Sequence, residues 1–260
     1  MSLLKMDMYI TDQDRERTCT VHMLQDLGLA LAEVNGRLKE GNKLLDIGCG
    51  FGGLGMTIGN HLDIKEVYGI DFDARVLPEA SAKGMQVRQW DISQVPLPYP
   101  SEHFDLVTSF GVFDYLPWFD DVLREVFRIL KPGGYTIISL PNLASWHNRL
   151  VLLLGYQPRD IEVSKEILVG VHPRYHRDDR PTNHIHTVTT KAFKELMEHF
   201  GFRTICVQGG RPLNTQKPFW VDAIDWLLSK SAYLARRFFY IGQKPETCDI
   251  STAYKDYKRV

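Results

Sequence analysis

Five glycines fall within eight positions, at 48, 50, 52, 53 and 55, directly after an apolar run of Leu44, Leu45 and Ile47 that carries one acid, Asp46. Apolar residues breaking into a glycine-rich turn and then a helical pattern read as a buried strand, a tight loop and a helix N-terminus, the arrangement that cradles a nucleotide. Glycine suits such a loop because its backbone takes positive φ angles and because a ligand laid against it would collide with a Cβ. Two further acids close short stretches downstream, Asp71 after residues 67–70 and Asp91 after residues 85–90. Asp71 follows the first glycine by about twenty residues, the separation at which a carboxylate accepts hydrogen bonds from both hydroxyls of a ribose. Asp73, in the same IDFD turn, reads better as a helix cap. Asp91 fits either a helix cap or an acceptor for an adenine amino group with apolar neighbours over the ring.

The glycine spacing leaves the nucleotide open. Gly48, Gly50 and Gly53 match the dinucleotide pattern GxGxxG, whereas Gly48, Gly50 and Gly52 match the GxGxG of S-adenosylmethionine sites. Asp46 bears on the choice, because an acid two residues before the first glycine repels the pyrophosphate that a dinucleotide places at this helix N-terminus. It attracts the sulfonium and ammonium groups of S-adenosylmethionine. The alternative is an Asp that only bonds N–H groups of the loop.

Histidine and arginine gather elsewhere. Five of the nine histidines, at 147, 172, 176, 184 and 186, fall between residues 141 and 186, with Arg174, Arg177 and Arg180 among them. A histidine titrates near neutral pH and can take a proton from an alcohol acceptor, which is otherwise a poor nucleophile. His184 and His186 are the candidates for that base, since side chains two apart in an extended segment share a face and could line one cavity wall. Tyr115 is the runner-up. Solvated loop histidines are the other reading. His172 with His176, or His184 with His186, could ligate a metal, but no motif with a third ligand is present and no metal is expected.

The elements that must position these groups alternate. Helical spacing runs through residues 13–40, interrupted by Asn35-Gly36. Strands are then expected at 43–47, 67–70, 85–90, 104–110 and 134–140, with helices at 54–62, 74–83 and 115–130 between them. Residues 189–200, 202–207, 219–233 and 237–242 add a helix, a strand, an amphipathic helix and a last strand. Alternation of this kind builds an α/β, Rossmann-like, doubly wound sheet with helices on both faces and ligands beyond the carboxyl ends of its strands. The organisation expected is an N-terminal helical segment (1–42), a cofactor-binding half (43–140), an insertion or substrate lid (141–188), completion of the sheet (189–245) and a polar tail (246–260). Residues 150–154 are apolar enough to line a pocket or simply to pack, and the aromatic, basic stretch 219–240 suits packing on the sheet better than a membrane surface.

With 260 residues and 44% hydrophobic content the chain can bury a full core. A net charge of −1 gives no global reason to bind nucleic acid, so a small-molecule substrate is expected. Cysteines 19, 49, 206 and 248 are scattered without a CxxC pair, which fits a reducing compartment. No signal peptide or membrane-length apolar run is read, so a cytoplasmic location is expected. Oligomeric state is not legible.

The segments LLDIGCGFGGLG, YGIDFD, QWDIS, FDLVTSFGVFDYL and LREVFRILKPGGY, in this order and spacing, resemble the class I S-adenosylmethionine-dependent methyltransferases, closest to the type 11 and type 12 small-molecule group. The resemblance covers about residues 40 to 140 well and the last seventy loosely. It implies a seven-stranded sheet whose last strand is antiparallel and inserted between the fifth and sixth. It also implies S-adenosylmethionine as cofactor, with S-adenosylhomocysteine as product. Gly48, Gly50 and Gly52 would line its methionyl and ribose portion beside Asp46, with Asp71 and Phe72 at the ribose, Asp91 and Ile92 at the adenine, and Ser109 also in contact. Many relatives carry a His after the fourth strand where this chain has Tyr115. The Asn-Pro-Pro-Tyr or Asp-Pro-Pro-Tyr clamp of amino-directed relatives is missing, which favours oxygen over nitrogen in a small-molecule, glycan-like or lipid-like acceptor. Two other readings stay open: an NAD-linked oxidoreductase, which GxGxxG and Asp71 also satisfy, and an S-adenosylmethionine-binding module without catalysis.

Overall fold

The structure is a computed structural model and describes residues 9–12, 21–38, 42–173, 181, 183–211 and 219–247. Seven strands form one sheet: β1 (Lys43–Ile47), β2 (Glu66–Asp71), β3 (Gln86–Gln89), β4 (Phe104–Phe110), β5 (Leu130–Pro141), β6 (Arg203–Gly210) and β7 (Arg237–Gln243). Their order across the sheet is β3-β2-β1-β4-β5-β7-β6. β7 runs antiparallel to both neighbours, and the pairings among β1 to β5 are parallel. The doubly wound sheet with an inserted antiparallel strand is therefore the observed fold. The first residue of β7, Arg237, pairs with Pro141, the last of β5, so it lies at the same end of the sheet as the carboxyl ends of the parallel strands.

Among the described residues seven helices cover the sheet: α1 (Val21–Ala32), α2 (Gly53–His61), α3 (Leu77–Ala82), α4 (Asp120–Ile129), α5 (Trp146–Leu153), α6 (Thr190–His199) and α7 (Phe219–Leu228). Alternate residues of each central strand feed two cores. On one face Leu44, Leu106 and Ile137 pack with Leu27, Leu31 and Ile58 of α1 and α2. On the other, Leu45, Val107 and Ile138 meet Leu123, Val126, Phe193 and Met197 of α4 and α6. Burial on both faces is why these strands read as continuous apolar runs.

Three boundaries differ from the sequence reading for identifiable reasons. The helix expected over 115–130 begins only at Asp120, preceded by a 3-10 turn, Phe113–Tyr115. Leu116 precedes Pro117 and is held extended, φ −91° and ψ 141°, which stops the turn from running on into α4. The helix expected over 74–83 shortens to α3 because Pro78, which has no N–H to give, occupies its first turn, while Asp73 takes the guanidinium of Arg75 before it. Finally, Lys131 to Gly134 do more than end a helix. They form a bulge inside β5, where pairing jumps from Phe104 with Leu130 to Leu106 with Tyr135.

α5 and α7 are tied together at the carboxyl end of the sheet. Asp225 of α7 accepts from Trp146 Nε1 at 2.8 Å and from Arg236 Nε at 2.7 Å. Val221 and Asp225 face inward, as expected for a helix packed on the fold, yet Phe219, Trp220, Trp226 and Leu227 are exposed, as are Leu150, Leu152 and Leu153 of α5. No helix among the described residues is long and apolar enough to cross a membrane.

Candidate active site

A cleft of about 750 Å³ opens beyond the carboxyl ends of β1, β2 and β4. Of the residues singled out from sequence, Asp46, Gly48, Gly50, Asp71, Phe72, Asp91, Ile92 and Tyr115 line it, whereas Gly52, Ser109, His184 and His186 do not.

The loop glycines divide by function. Gly50 has φ +52°, and a Cβ built on it would meet nothing within 4 Å, so its open side faces ligand space. A Cβ on Gly48 would lie 2.3 Å from Val112, which makes that glycine a site of close approach to the loop after β4. Gly52, at φ +81°, backs onto Ala80 of α3 at 2.9 Å. It caps α2 and packs against α3, outside the lining of the cleft. Ser109 is buried within β4, and its hydroxyl has no hydrogen-bond partner among the described residues.

Asp46 combines both readings offered for it. It is 2% exposed, accepts from Thr108 Oγ1 at 2.8 Å and also bonds the backbone of Gly55, yet it lines the cleft. Burial pushes its carboxyl up to about 7, and the neighbouring Asp71 pushes the same way. A cationic ligand group placed here would favour the ionised form. Asp71 holds the loop in shape: Oδ2 accepts from the Gly50 N–H at 2.9 Å and Oδ1 from the Asp73 N–H at 3.0 Å. Each oxygen keeps a second lone pair for a ribose hydroxyl. Asp91 uses Oδ1 in a turn with Ser93 N–H and Oγ, at 2.9 and 2.7 Å, and it is exposed at the cleft margin. Ile92 is buried, and the ring of Phe72 is 75% exposed over the opening. Acids at the base, middle and rim of one cleft, with an open glycine between them, fit an adenosine carrying a cationic tail.

The histidines pack behind the cleft. The N–H groups of Ile185 and His186 both donate to the carbonyl of Asp114. From there the two rings part instead of sharing a cavity wall. His184 Nε2 lies 3.1 Å from Asp114 Oδ2 and its ring sits edge-on to Tyr115, centroids 5.1 Å apart. His186 is held by the Pro117 carbonyl and by the rings of Trp118 and Phe119. Only Tyr115 among the three candidates reaches the cleft wall, and burial raises its hydroxyl above the ordinary tyrosine value. His172 contacts Tyr156; His176, Arg174, Arg177 and Arg180 lie outside the described residues. No cluster of three metal-ligating side chains occurs among the described residues.

Two residues were missed. Asp114, in GVFDYL, is 2% exposed; burial raises its carboxyl while His184 and Arg237 oppose that shift. Arg237 begins β7 and is 8% exposed. A charged residue opening an apolar strand was the available signal for it.

A family described as "Methyltransferase domain" matches residues 15–207, most of the chain. The chain belongs to that family. The curated protein similar to it from Thermus thermophilus, a demethylmenaquinone methyltransferase, is 31% identical over 105 residues, covering 38% of this chain and 47% of that one. The chain spans about half the length of the curated relatives it matches. Among solved structures, an S-adenosylmethionine-dependent methyltransferase from Mesorhizobium loti superposes with TM-score 0.57 at 19% identity, over 86% of this chain and 98% of that one. One from Archaeoglobus fulgidus gives 0.57 at 17% identity, over 88% and 97%. The family is one of methyltransferases, the fold is shared with these structures, and the lining of the cleft fits S-adenosylmethionine. The oxidoreductase reading falls, and Asp46 at the loop base gives the physical reason.

Proposed function

We propose that the methyltransferase transfers its methyl group to an oxygen of a small-molecule, glycan-like or lipid-like metabolite. The observation that carries the reading is the pairing of buried Asp114 with His184, whose ring lies against Tyr115 on the cleft wall. Methyl transfer to a hydroxyl needs a proton acceptor, and a histidine oriented by a carboxylate is suited to that task near neutral pH. Asp114 on Nε2 makes Nδ1 the basic nitrogen of His184, and the tie fixes the ring plane.

S-adenosylmethionine, when bound, supplies a methyl group on a sulfonium. The chain's own residues do the rest. Gly50, Asp71, Asp91 and Ile92 hold the nucleoside, and Asp46 offers a carboxylate to the cationic end. Tyr115, with Leu116 and Pro117, walls the cleft where the acceptor would lie and excludes water from it. Alignment of donor and acceptor supplies much of the rate in such a displacement. His186, bound to Pro117, positions this wall and is no longer proposed as the base.

The absence of an Asn-Pro-Pro-Tyr clamp and the near-neutral charge support an oxygen of a small molecule over a nucleic-acid nitrogen. The exposed apolar residues of α5 and α7, at the same end of the sheet, support an acceptor with an apolar portion. The test is transfer of labelled methyl from S-adenosylmethionine to panels of phenols and lipid or glycan alcohols, amines, RNA and DNA. Label on hydroxyls is expected, and exclusive labelling of amines or nucleic acid would overturn the reading. With an acceptor in hand, His184→Ala should lower kcat by about 10²-fold or more, leave cofactor affinity intact and shift the pH profile. His186→Ala should retain most of the rate.

A further inference from the structure

Arg237 is a buried cation with too few partners. Its Nη1 makes two long contacts to Ser139, 3.5 Å to the carbonyl and 3.4 Å to Oγ. Both exceed ordinary N–H···O lengths. Among the described residues neither Nε nor Nη2 has a hydrogen-bond acceptor, and no carboxylate closes an ion pair with it. Arginine stays charged even where burial works against it, and leaving such a group unsatisfied inside a protein is expensive. Asp114 presents the matching oddity, since among the described residues its buried Oδ1 has no partner while Oδ2 faces His184.

The two groups share one place. Arg237 starts β7 at the carboxyl end of the sheet, and Nη2 lies 3.3 Å from where a Cβ of Gly111 would stand. Gly111 lines the cleft next to Tyr115, so only a side-chain-free backbone separates the guanidinium from the acceptor side of the site. The charged or titratable groups near Arg237 are Asp114, Asp160 and Tyr115. Asp114 turns Oδ2 toward His184, and neither Asp114 nor Asp160 closes an ion pair with the guanidinium among the described residues.

We propose that Arg237 and Asp114 form an acceptor subsite for a molecule bearing an oxyanion, a carboxylate or a phosphate group. The side-on Nε and Nη2 hydrogens take two oxygens of that group in the bidentate geometry that arginine favours. Asp114 Oδ1 accepts from a hydroxyl of the same molecule. The inference rests on the methyl-transfer reading for the word acceptor, and on the buried guanidinium alone for the anion.

The experiment uses ¹⁵N-labelled protein saturated with S-adenosylhomocysteine and titrated with acetate, inorganic phosphate or, as neutral counterpart of acetate, acetamide. The Arg237 Nε–H and Gly111 amide resonances should shift saturably with acetate, phosphate or both, and not with acetamide; the stronger of the two names the anion class. Arg237→Gln should weaken the response at least tenfold and Arg237→Lys should keep part of it, with S-adenosylhomocysteine affinity within twofold of wild type in both. No saturable shift in the wild type, or an undiminished one in Arg237→Gln, overturns the subsite. The wild-type titration decides the matter even if Arg237→Gln does not fold. Anion shifts in a protein that fails to bind S-adenosylhomocysteine would overturn the methyl-transfer reading and leave the anion site standing.

Discussion

Gly48 and Gly50 stand two residues apart in one loop, yet a methyl group added to each meets different surroundings: Val112 at 2.3 Å for Gly48, open cleft for Gly50. Gly48→Ala should therefore lower Tm by several degrees through a steric clash. Gly50→Ala should cost about 1 kcal/mol for its positive φ and lose S-adenosylhomocysteine binding out of proportion to that loss. Thermal melts beside calorimetry separate the two. Asp46 carries a pH prediction. With its carboxyl at about 7 in the folded chain against about 3.9 unfolded, the buried acid favours folding fully below pH 4 and loses that contribution as pH rises through 7. Cofactor binding runs the other way, because a sulfonium and an ammonium select the ionised carboxylate. Affinity should rise with pH between about 5.5 and 7.5 and then level off, with proton release on binding; Asp46→Asn should abolish the slope. Asp71 and Asp91 were legible because each closes a short strand, and Asp46 because it interrupts an apolar one. The contact of Gly52 with Ala80 was not legible, because Ala80 belongs to another helix.

Among the elements, the segment between β4 and α4 does most to shape the site. Pro117 keeps it from becoming helix, and the resulting 3-10 turn aims Tyr115 at the cleft while burying Asp114 behind it. A helical reading of 115–130 could not place both, since the break depends on a proline whose effect on Leu116 is local but whose consequence is tertiary. α5 and α7 are a second unit, pinned through Asp225 to Trp146 and Arg236. Asp225→Ala leaves Arg236 without its buried partner and should destabilise the protein by about 3 kcal/mol, with Asp225→Asn less harmful. Urea unfolding monitored at the tryptophans would measure it, and a loss under 0.5 kcal/mol would mean the tie is incidental.

Over the whole molecule, the alternation of strands and helices is legible because buried parallel strands and amphipathic helices leave strong local marks, whereas the inserted antiparallel β7 was implied by the family resemblance alone. The acceptor side leaves no such marks. Asp114, His184 and Arg237 are more than fifty residues apart in the chain and meet only when β7 inserts beside β5. No spacing rule links them. The glycine loop and strand-end acids of the cleft are thus local in sequence, and the proposed acceptor side is assembled by topology. The central claim is that this cleft binds S-adenosylmethionine through Asp46 and the glycine loop, and calorimetric titration of the full chain with S-adenosylhomocysteine and, separately, with NAD tests it most directly. Saturable binding of S-adenosylhomocysteine at 1:1, with none for NAD, is the predicted result; NAD binding without S-adenosylhomocysteine binding would contradict it.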